Sequence, residues 1–188
     1  MTRFDAVVGI DLSLTSTGVA FIEPRGDVRW TKTITTTGHR DDTWEQRGRR
    51  IGRILDEVCC TFIEWGIRGS LVALEAPSYG STTGSVWDRA GVWWHVYTEL
   101  IASGHTVLPV APTVRAKYAT GKGTAGKDAV LAAAVRRYAD IEITGNDTAD
   151  AVVLAAIGCR LIGQPIDDPM PALNLTALDK LNLAEAAA

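Results

Sequence analysis

The stretch FDAVVGIDLSLTSTGVAFIEP, residues 4–24, contains two apolar runs joined by a polar turn. The first run is rich in β-branched residues and ends at Asp11, a pattern typical of a buried strand. GVAFIEP and the following VRWTKTITTT have the same strand-like composition. We therefore predict that the chain begins with three strands in an antiparallel meander.

The rest of the chain alternates helices with strands. The hydrophobic pattern predicts, in order, a helix over 43–65, a strand over 70–77, a helix over 85–103, a strand over 105–112, and helices at about 127–139 and 148–162. Three antiparallel strands followed by alternating helices and strands predict an α/β fold with a mixed five-stranded sheet flanked by helices.

Composition limits the class of protein. With 188 residues, 46% hydrophobic and 22% charged, the chain fits one domain, which we place at residues 1–163. Residues 164–188, with several prolines and a final AEAAA, predict a loosely ordered C-terminal tail. No signal peptide or membrane span is evident. An odd number of cysteines, three, does not suggest a disulfide framework, so we expect a cytoplasmic protein.

Two acidic residues lie at the ends of predicted strands. Asp11 closes the first strand and Glu75 closes the fourth, at the carboxyl ends where α/β proteins build their sites. An unpaired carboxylate on a buried strand is costly, so each needs a cation, a hydrogen-bond network or a raised pKa. Either acid alone could cap the loop that follows it. Two at matching strand ends favour a common site.

Two further acids begin the last predicted helix, in GNDTADAVVLAA, residues 145–156. Asp147 and Asp150 could simply suit the helix N-terminus, where Asn146 or Asp147 could also be the cap. Because they are three residues apart they share one face, and packing beside Asp11 and Glu75 would gather four carboxylates. Such oxygen-rich sites suit Mg²⁺ or Mn²⁺, and paired ions about 4 Å apart serve displacement at phosphodiesters.

Three motifs carry a resemblance to a known family. GIDLSLTSTGVA, ALEAPSYG and NDTADAVVLA, in this order and spacing, resemble the RuvC-type Holliday-junction resolvases of bacteria and phages, members of the ribonuclease-H-like superfamily. The resemblance implies a homodimeric endonuclease that cuts four-way DNA junctions symmetrically, in a bacterial cell or encoded by a phage. It implies two Mg²⁺ ions per site, replaceable by Mn²⁺, with the metal ligands Asp11, Glu75, Asp147 and Asp150.

The same resemblance implies residues that contact DNA. Lys127 in GTAGKDAV matches a family lysine that holds the scissile phosphate. Arg115 or Lys117 could replace a second, upstream lysine of the family. Tyr79 is the candidate for an aromatic residue that stacks on junction bases. Lys122 lies in a glycine-rich loop that we interpret as a DNA contact.

The net charge of −3 does not indicate general binding to nucleic acid, so any DNA contact needs a local basic patch. GKGTAGKD, residues 121–128, resembles a nucleotide-binding P-loop, but Asp128 stands where Ser or Thr would meet Mg²⁺. A lysine-bearing DNA-contact loop explains these glycines better. On the 85–103 helix, through which the family dimerises, Trp93, Trp94 and Tyr97 could be interface residues or simply core.

Two alternative functions stay open at the level of sequence. One is a module of the same fold that binds branched DNA without cutting it. The other is the same nuclease chemistry on forks, flaps or RNA–DNA hybrids, since junction choice depends on dimer geometry and phosphate spacing more than on base contacts.

Overall fold

The computed structural model describes residues 4, 6–77 and 85–186. Its sheet contains β1 (Val7–Asp11), β2 (Ser16–Ile22), β3 (Arg29–Thr35), β4 (Leu71–Glu75) and β5 (Thr106–Val110) in the spatial order β3-β2-β1-β4-β5. The β1–β2 and β2–β3 pairs are antiparallel, whereas β1–β4 and β4–β5 are parallel. The prediction of a mixed five-stranded α/β sheet is confirmed.

Helices cover both faces of this sheet. They are α1 (Trp44–Glu64), α2 (Val86–Ala102), α3 (Pro112–Thr120), α4 (Lys127–Arg137), α5 (Asn146–Leu161) and the short α6 (Ala172–Leu175) and α7 (Leu183–Ala186). Successive side chains of β1 point to opposite faces of the sheet, so the hydrophobic core has two parts. Val8 and Ile10 belong to the part under α1 and α2, and Val7 belongs to the part under α5. In the described part of the chain, no helix is long and apolar enough to span a membrane.

Helix α1 follows the sequence pattern closely. Thr43 Oγ1 accepts a hydrogen bond from the Gln46 backbone N–H at 3.2 Å, and Gln46 Oε1 accepts one from the Thr43 N–H at 2.8 Å. This capping box fixes where the helix begins. Ile54, Val58 and Phe62, spaced four residues apart, are buried against the sheet.

Helix α3 is absent from the sequence-based prediction, which interpreted this segment as loop after the fifth strand. Its residues are buried on several sides, including Val114, Arg115, Ala116, Tyr118 and Ala119. A helix buried around most of its circumference has no amphipathic period to detect. Its boundaries did carry signals, since Pro112 occupies the first turn and Gly121 follows the end with a positive φ of 81°.

Two glycines set the distance between α5 and the sheet. A Cβ on Gly9 would overlap the Ala151 carbonyl oxygen, and one on Gly18 would overlap the Asp147 carbonyl oxygen. Only glycine allows the two backbones to approach this closely. Gly9 on β1 and Gly18 on β2 therefore bring the start of α5 against the carboxyl end of β1.

The C-terminal segment differs from the predicted loosely ordered tail. The side chain of Asp167 is fully buried and accepts hydrogen bonds from the Tyr118 and Tyr138 hydroxyls, both at 2.8 Å, while Arg160 pairs with it at 2.5 Å. Other residues of the segment are also buried: Met170, Asn174 and Ala177. Buried tyrosine hydroxyls need a hydrogen-bond partner, and the C-terminal segment supplies one in Asp167. The proline content, on which the prediction of a loose tail was based, contains no information about this contact.

Candidate active site

The first two acids meet at the carboxyl edge of β1 and β4. The strands are parallel neighbours, and Ile10 pairs with Leu74, so Asp11 and Glu75 follow at the same level. Asp11 is buried, with 8% of its surface exposed, and Glu75 is half-buried. The first and fourth strands are thus neighbours in the sheet, as a common site for these two acids requires.

Helix α5 brings the other two acids to the same edge. Asp150 is 2% exposed, and Asp147 lies close enough for its charge to raise the pKa of Asp11. Asp147 does not cap the helix, since α5 begins without a side-chain cap and Thr148 Oγ1 accepts the Gly145 N–H at 3.1 Å. The capping-only interpretation of Asp147 is therefore not supported.

A hydroxyl at the start of β2, directly after the β1–β2 turn, holds Asp147. Ser16 Oγ donates to Asp147 Oδ2 at 2.5 Å. The turn itself is ordered by its own side chains: Ser13 Oγ accepts the Ser16 N–H at 3.2 Å, and Thr17 Oγ1 donates to the Ser13 carbonyl at 2.9 Å. Sequence analysis missed Ser16, although the Ser- and Thr-rich turn LSLTSTG was a signal.

Arg115 lies inside the acidic cluster. Its Nε pairs with Glu75 Oε2 at 2.5 Å and its Nη1 pairs with Asp150 Oδ1. The sequence suggested Arg115 as a DNA contact, but the structure directs its guanidinium to two carboxylates and leaves it only 7% exposed. The sequence pattern failed to predict α3, the helix that carries Arg115, so this contact could not be foreseen.

Burial controls the protonation of the cluster. Removal from water raises the pKa of Asp11 from 3.8 to about 6, with Asp147 adding to the rise and Arg115 opposing it. Burial, followed by the charge of Asp11, raises the pKa of Glu75 from 4.5 to about 7, again against Arg115. Removal from water is thus the main reason that these two carboxyls are protonated more readily than in solution.

The donor atoms fit a hard divalent cation, although they are not gathered as a finished metal site. Within residues 4, 6–77 and 85–186, no three acidic, histidine or cysteine side chains are placed to hold a metal ion. Asp150 Oδ2, however, is buried without a hydrogen-bond partner. An orphaned buried carboxylate oxygen among further carboxylates is the chemistry that Mg²⁺ and Mn²⁺ prefer.

A cavity of about 810 Å³ leads to this cluster, and both Glu75 and Lys127 line it. Lys127 is the first residue of α4, and its charge lowers the pKa of Asp11 and Glu75. Lys122 is exposed on the preceding loop and Lys117 is half-buried on α3. Tyr79, the predicted stacking residue, lies outside the described residues.

The aromatic residues of α2 divide into core and surface. Trp93 is 8% exposed, stacks on Tyr97 with ring centroids 4.9 Å apart, and donates its Nε1–H to the Glu75 carbonyl at 2.8 Å. It therefore belongs to the core of a single chain and supports the end of β4. Trp94, 57% exposed, is available for contact with another molecule, and Tyr97 is half-buried.

Replacing Asp11 should stabilise the metal-free protein at high pH. An unfolded Asp11 ionises near 3.8 and the folded one near 6, so the wild type loses stability as the pH rises through this interval. Asp11→Asn removes that loss. We expect its thermal midpoint in EDTA to exceed the wild-type value at pH 8 and to match it at pH 4. Equal midpoints at pH 8 would show that burial of Asp11 carries no penalty.

The strand order and the helices on both faces define a ribonuclease-H-like fold, and comparisons with solved structures agree on this fold. RuvC of Thermus thermophilus superimposes with a TM-score of 0.64 at 18% identity, covering 85% of this chain and 97% of that one. T. thermophilus RuvC in complex with a Holliday junction substrate gives 0.61 at 15% identity, covering 86% and 98%. No family model and no curated protein sequence matches the chain. The chain therefore has the RuvC-type fold.

Proposed function

We propose that the protein is a metal-dependent, structure-selective endonuclease that resolves four-way DNA junctions by paired symmetric cuts. The observation that carries the proposal is the convergence of the strand-end acids Asp11 and Glu75 with Asp147 and Asp150 at one edge of the sheet. The likeness to RuvC solved with a Holliday junction substrate supports the choice of branched DNA.

The roles of the acids follow from their positions. Asp11, Glu75, Asp147 and Asp150 would hold Mg²⁺, which Mn²⁺ can replace, in a site for two ions. When bound, such a metal would supply an activated water and neutralise charge at the phosphodiester. Ser16 keeps Asp147 oriented by donating to Oδ2, and thereby leaves Oδ1 for the cation.

Basic residues position the DNA in this proposal. Lys127, beside the acids and on the wall of the cavity, binds the scissile phosphate and offsets the charge of the transition state. Lys117, Lys122 and Tyr79 also contact DNA in this proposal, on the evidence of the sequence motifs alone. Because the described part of the chain contains one such cluster, symmetric cutting requires a homodimer, with Trp94 and Tyr97 of α2 as interface residues.

The experiment that tests the proposal is cleavage of an end-labelled four-way junction, with linear duplex and fork controls, in Mg²⁺, Mn²⁺ and EDTA. Paired cuts near the branch that require metal establish a junction resolvase. Cutting of forks but not of junctions keeps the chemistry and changes the substrate. Tight junction binding without any cutting instead establishes a non-catalytic branched-DNA-binding module.

Lys127→Ala should slow cleavage more than it weakens binding. Loss of a phosphate-binding cation beside the reacting atoms removes stabilisation of the transition state, and we expect a decrease in single-turnover rate of about a hundredfold. Junction affinity, measured by fluorescence anisotropy in Ca²⁺, should decrease by only about threefold, since one of several phosphate contacts is lost.

Lys122→Ala is the matched control for Lys127→Ala, because it removes the same charge from the loop before α4 without touching the acidic cluster. Its cleavage rate at saturating enzyme should stay within about threefold of wild type. Equal losses of rate in the two variants would contradict a specific role for Lys127 in the chemical step.

A further inference from the structure

Arg115 occupies a position that a metal-binding cluster would ordinarily leave open. Its guanidinium lies between Glu75 and Asp150, the two acids contributed by β4 and α5. The side chains of all three residues are shielded from solvent, with exposed fractions of 9%, 15% and 2% for Arg115, Glu75 and Asp150. An ion pair this deep is only weakly screened by water and salt.

The backbone around Arg115 fixes the guanidinium in place. Arg115 N–H donates to the Ala111 carbonyl at 3.1 Å in the first turn of α3, directly after β5. Neighbouring residues on both sides are buried, among them Val114 and Ala116, so the helix is held in its orientation. A planar guanidinium with several donors can serve two carboxylates at once, which a lysine ammonium does less well.

The guanidinium and a divalent cation require the same two carboxylates. A metal held jointly by Glu75 and Asp150, even through the unpartnered Asp150 Oδ2, would lie beside the guanidinium, and the two cations would repel one another at that distance. Asp11 senses the charge of Arg115, which opposes the rise of its pKa, and Asp147 is held by Ser16. Among the described residues, the direct ion pairs of Arg115 within the cluster are with Glu75 and Asp150.

We propose that Arg115 competes with the divalent cation for Glu75 and Asp150, so that the DNA-free protein binds metal weakly at these two acids. This inference rests on the proposed metal-dependent function and deepens it, because it assigns to the chain's own arginine the control of metal loading. It also explains why the four acids, as they lie in the structure, do not form a ready metal site.

The test compares Mn²⁺ binding to the DNA-free wild type, Arg115→Met and Lys117→Met, using the electron paramagnetic resonance signal of free Mn²⁺. Methionine keeps much of the apolar stem of Arg115 and removes its charge. Lys117→Met removes one charge from the same helix, where the residue makes no ion pair with the acids among the described contacts. We expect Arg115→Met to bind Mn²⁺ at least about tenfold more tightly than wild type and Lys117→Met to match wild type.

Thermal unfolding with and without Mn²⁺ provides a second readout. Without its arginine, the buried Glu75–Asp150 pair is uncompensated, so Arg115→Met should gain a much larger increase in midpoint from Mn²⁺ than wild type does. If Arg115→Met fails to fold even in Mn²⁺, Arg115→Lys decides, because a single ammonium bridges the two acids less well and should give tighter Mn²⁺ binding than wild type.

The outcomes separate this inference from the proposed function. Mn²⁺ affinity unchanged in Arg115→Met, or in Arg115→Lys where the former does not fold, overturns the competition. An equal gain in Lys117→Met also overturns it, since the effect would then be one of general charge. If the wild type cuts junctions while affinity is unchanged, the nuclease proposal stands and the inference fails. If Arg115→Met binds Mn²⁺ more tightly but the wild type cuts no DNA, the competition stands and the nuclease proposal fails.

Discussion

Asp11→Asn is expected to abolish junction cleavage while leaving junction binding intact. Asp11 lies at the centre of the cluster, level with Glu75 on the neighbouring strand and close to Asp147. Its amide analogue keeps the shape but loses the charge that a divalent cation requires. We expect the single-turnover cleavage rate in Mg²⁺ to decrease at least about a thousandfold.

The affinity of Asp11→Asn for the junction, unlike its cleavage rate, should not decrease. Removing a negative charge near the phosphate path reduces repulsion, so junction affinity in the absence of cleavage should be equal to wild type or tighter. Asp56→Asn on the exposed face of α1 is the matched control, and it should leave both rate and affinity unchanged. Substantial cleavage by Asp11→Asn, or loss of its junction binding, would remove Asp11 from the proposed metal site.

Gly9→Ala is expected to destabilise the fold severely. A methyl group at this position would overlap the Ala151 carbonyl oxygen and approach the Ala155 backbone nitrogen at 2.5 Å, both on α5. Backbone atoms cannot move aside as a side-chain tip can, so the helix must retreat from β1. We expect a loss of about 3 kcal/mol or more in the free energy of unfolding, measured by urea denaturation.

Gly48→Ala is the control that separates the steric overlap at Gly9 from the general effect of replacing glycine by alanine. Gly48 on α1 is exposed and has open space where a Cβ would lie. Gly48→Ala should therefore stabilise the protein, by up to about 1 kcal/mol, because alanine is the better helix former. If Gly9→Ala folds as stably as wild type, the close approach of α5 to the sheet does not depend on the glycine.

The strands and most helices could be predicted because each carries its own periodicity. The β-branched run before Asp11 and the four-residue spacing in α1 are local patterns, and the structure confirms both. The acids at the strand ends could be grouped for the same reason, since parallel neighbours bring their carboxyl ends to one edge. The likeness to RuvC agrees with the fold expected from these motifs.

The contacts inside the cluster could not be predicted in this way. Arg115 belongs to α3, which is buried around most of its circumference and so shows no amphipathic pattern. Trp93 and Trp94 are adjacent in sequence, yet one is core and the other surface, since a helix turns about 100° per residue. The predicted roles of Lys117, Lys122 and Tyr79 stay predictions.

Local pattern was thus enough to predict the order of the strands, the helices α1, α2, α4 and α5, and the acidic residues at the ends of these elements. The three-dimensional arrangement alone established that Arg115 enters the cluster, that Ser16 holds Asp147 and that Asp167 ties down the C-terminal segment. Periodicity reports which side of an element faces the core. It contains no information on which distant side chain will satisfy a buried charge, because that depends on how the elements pack.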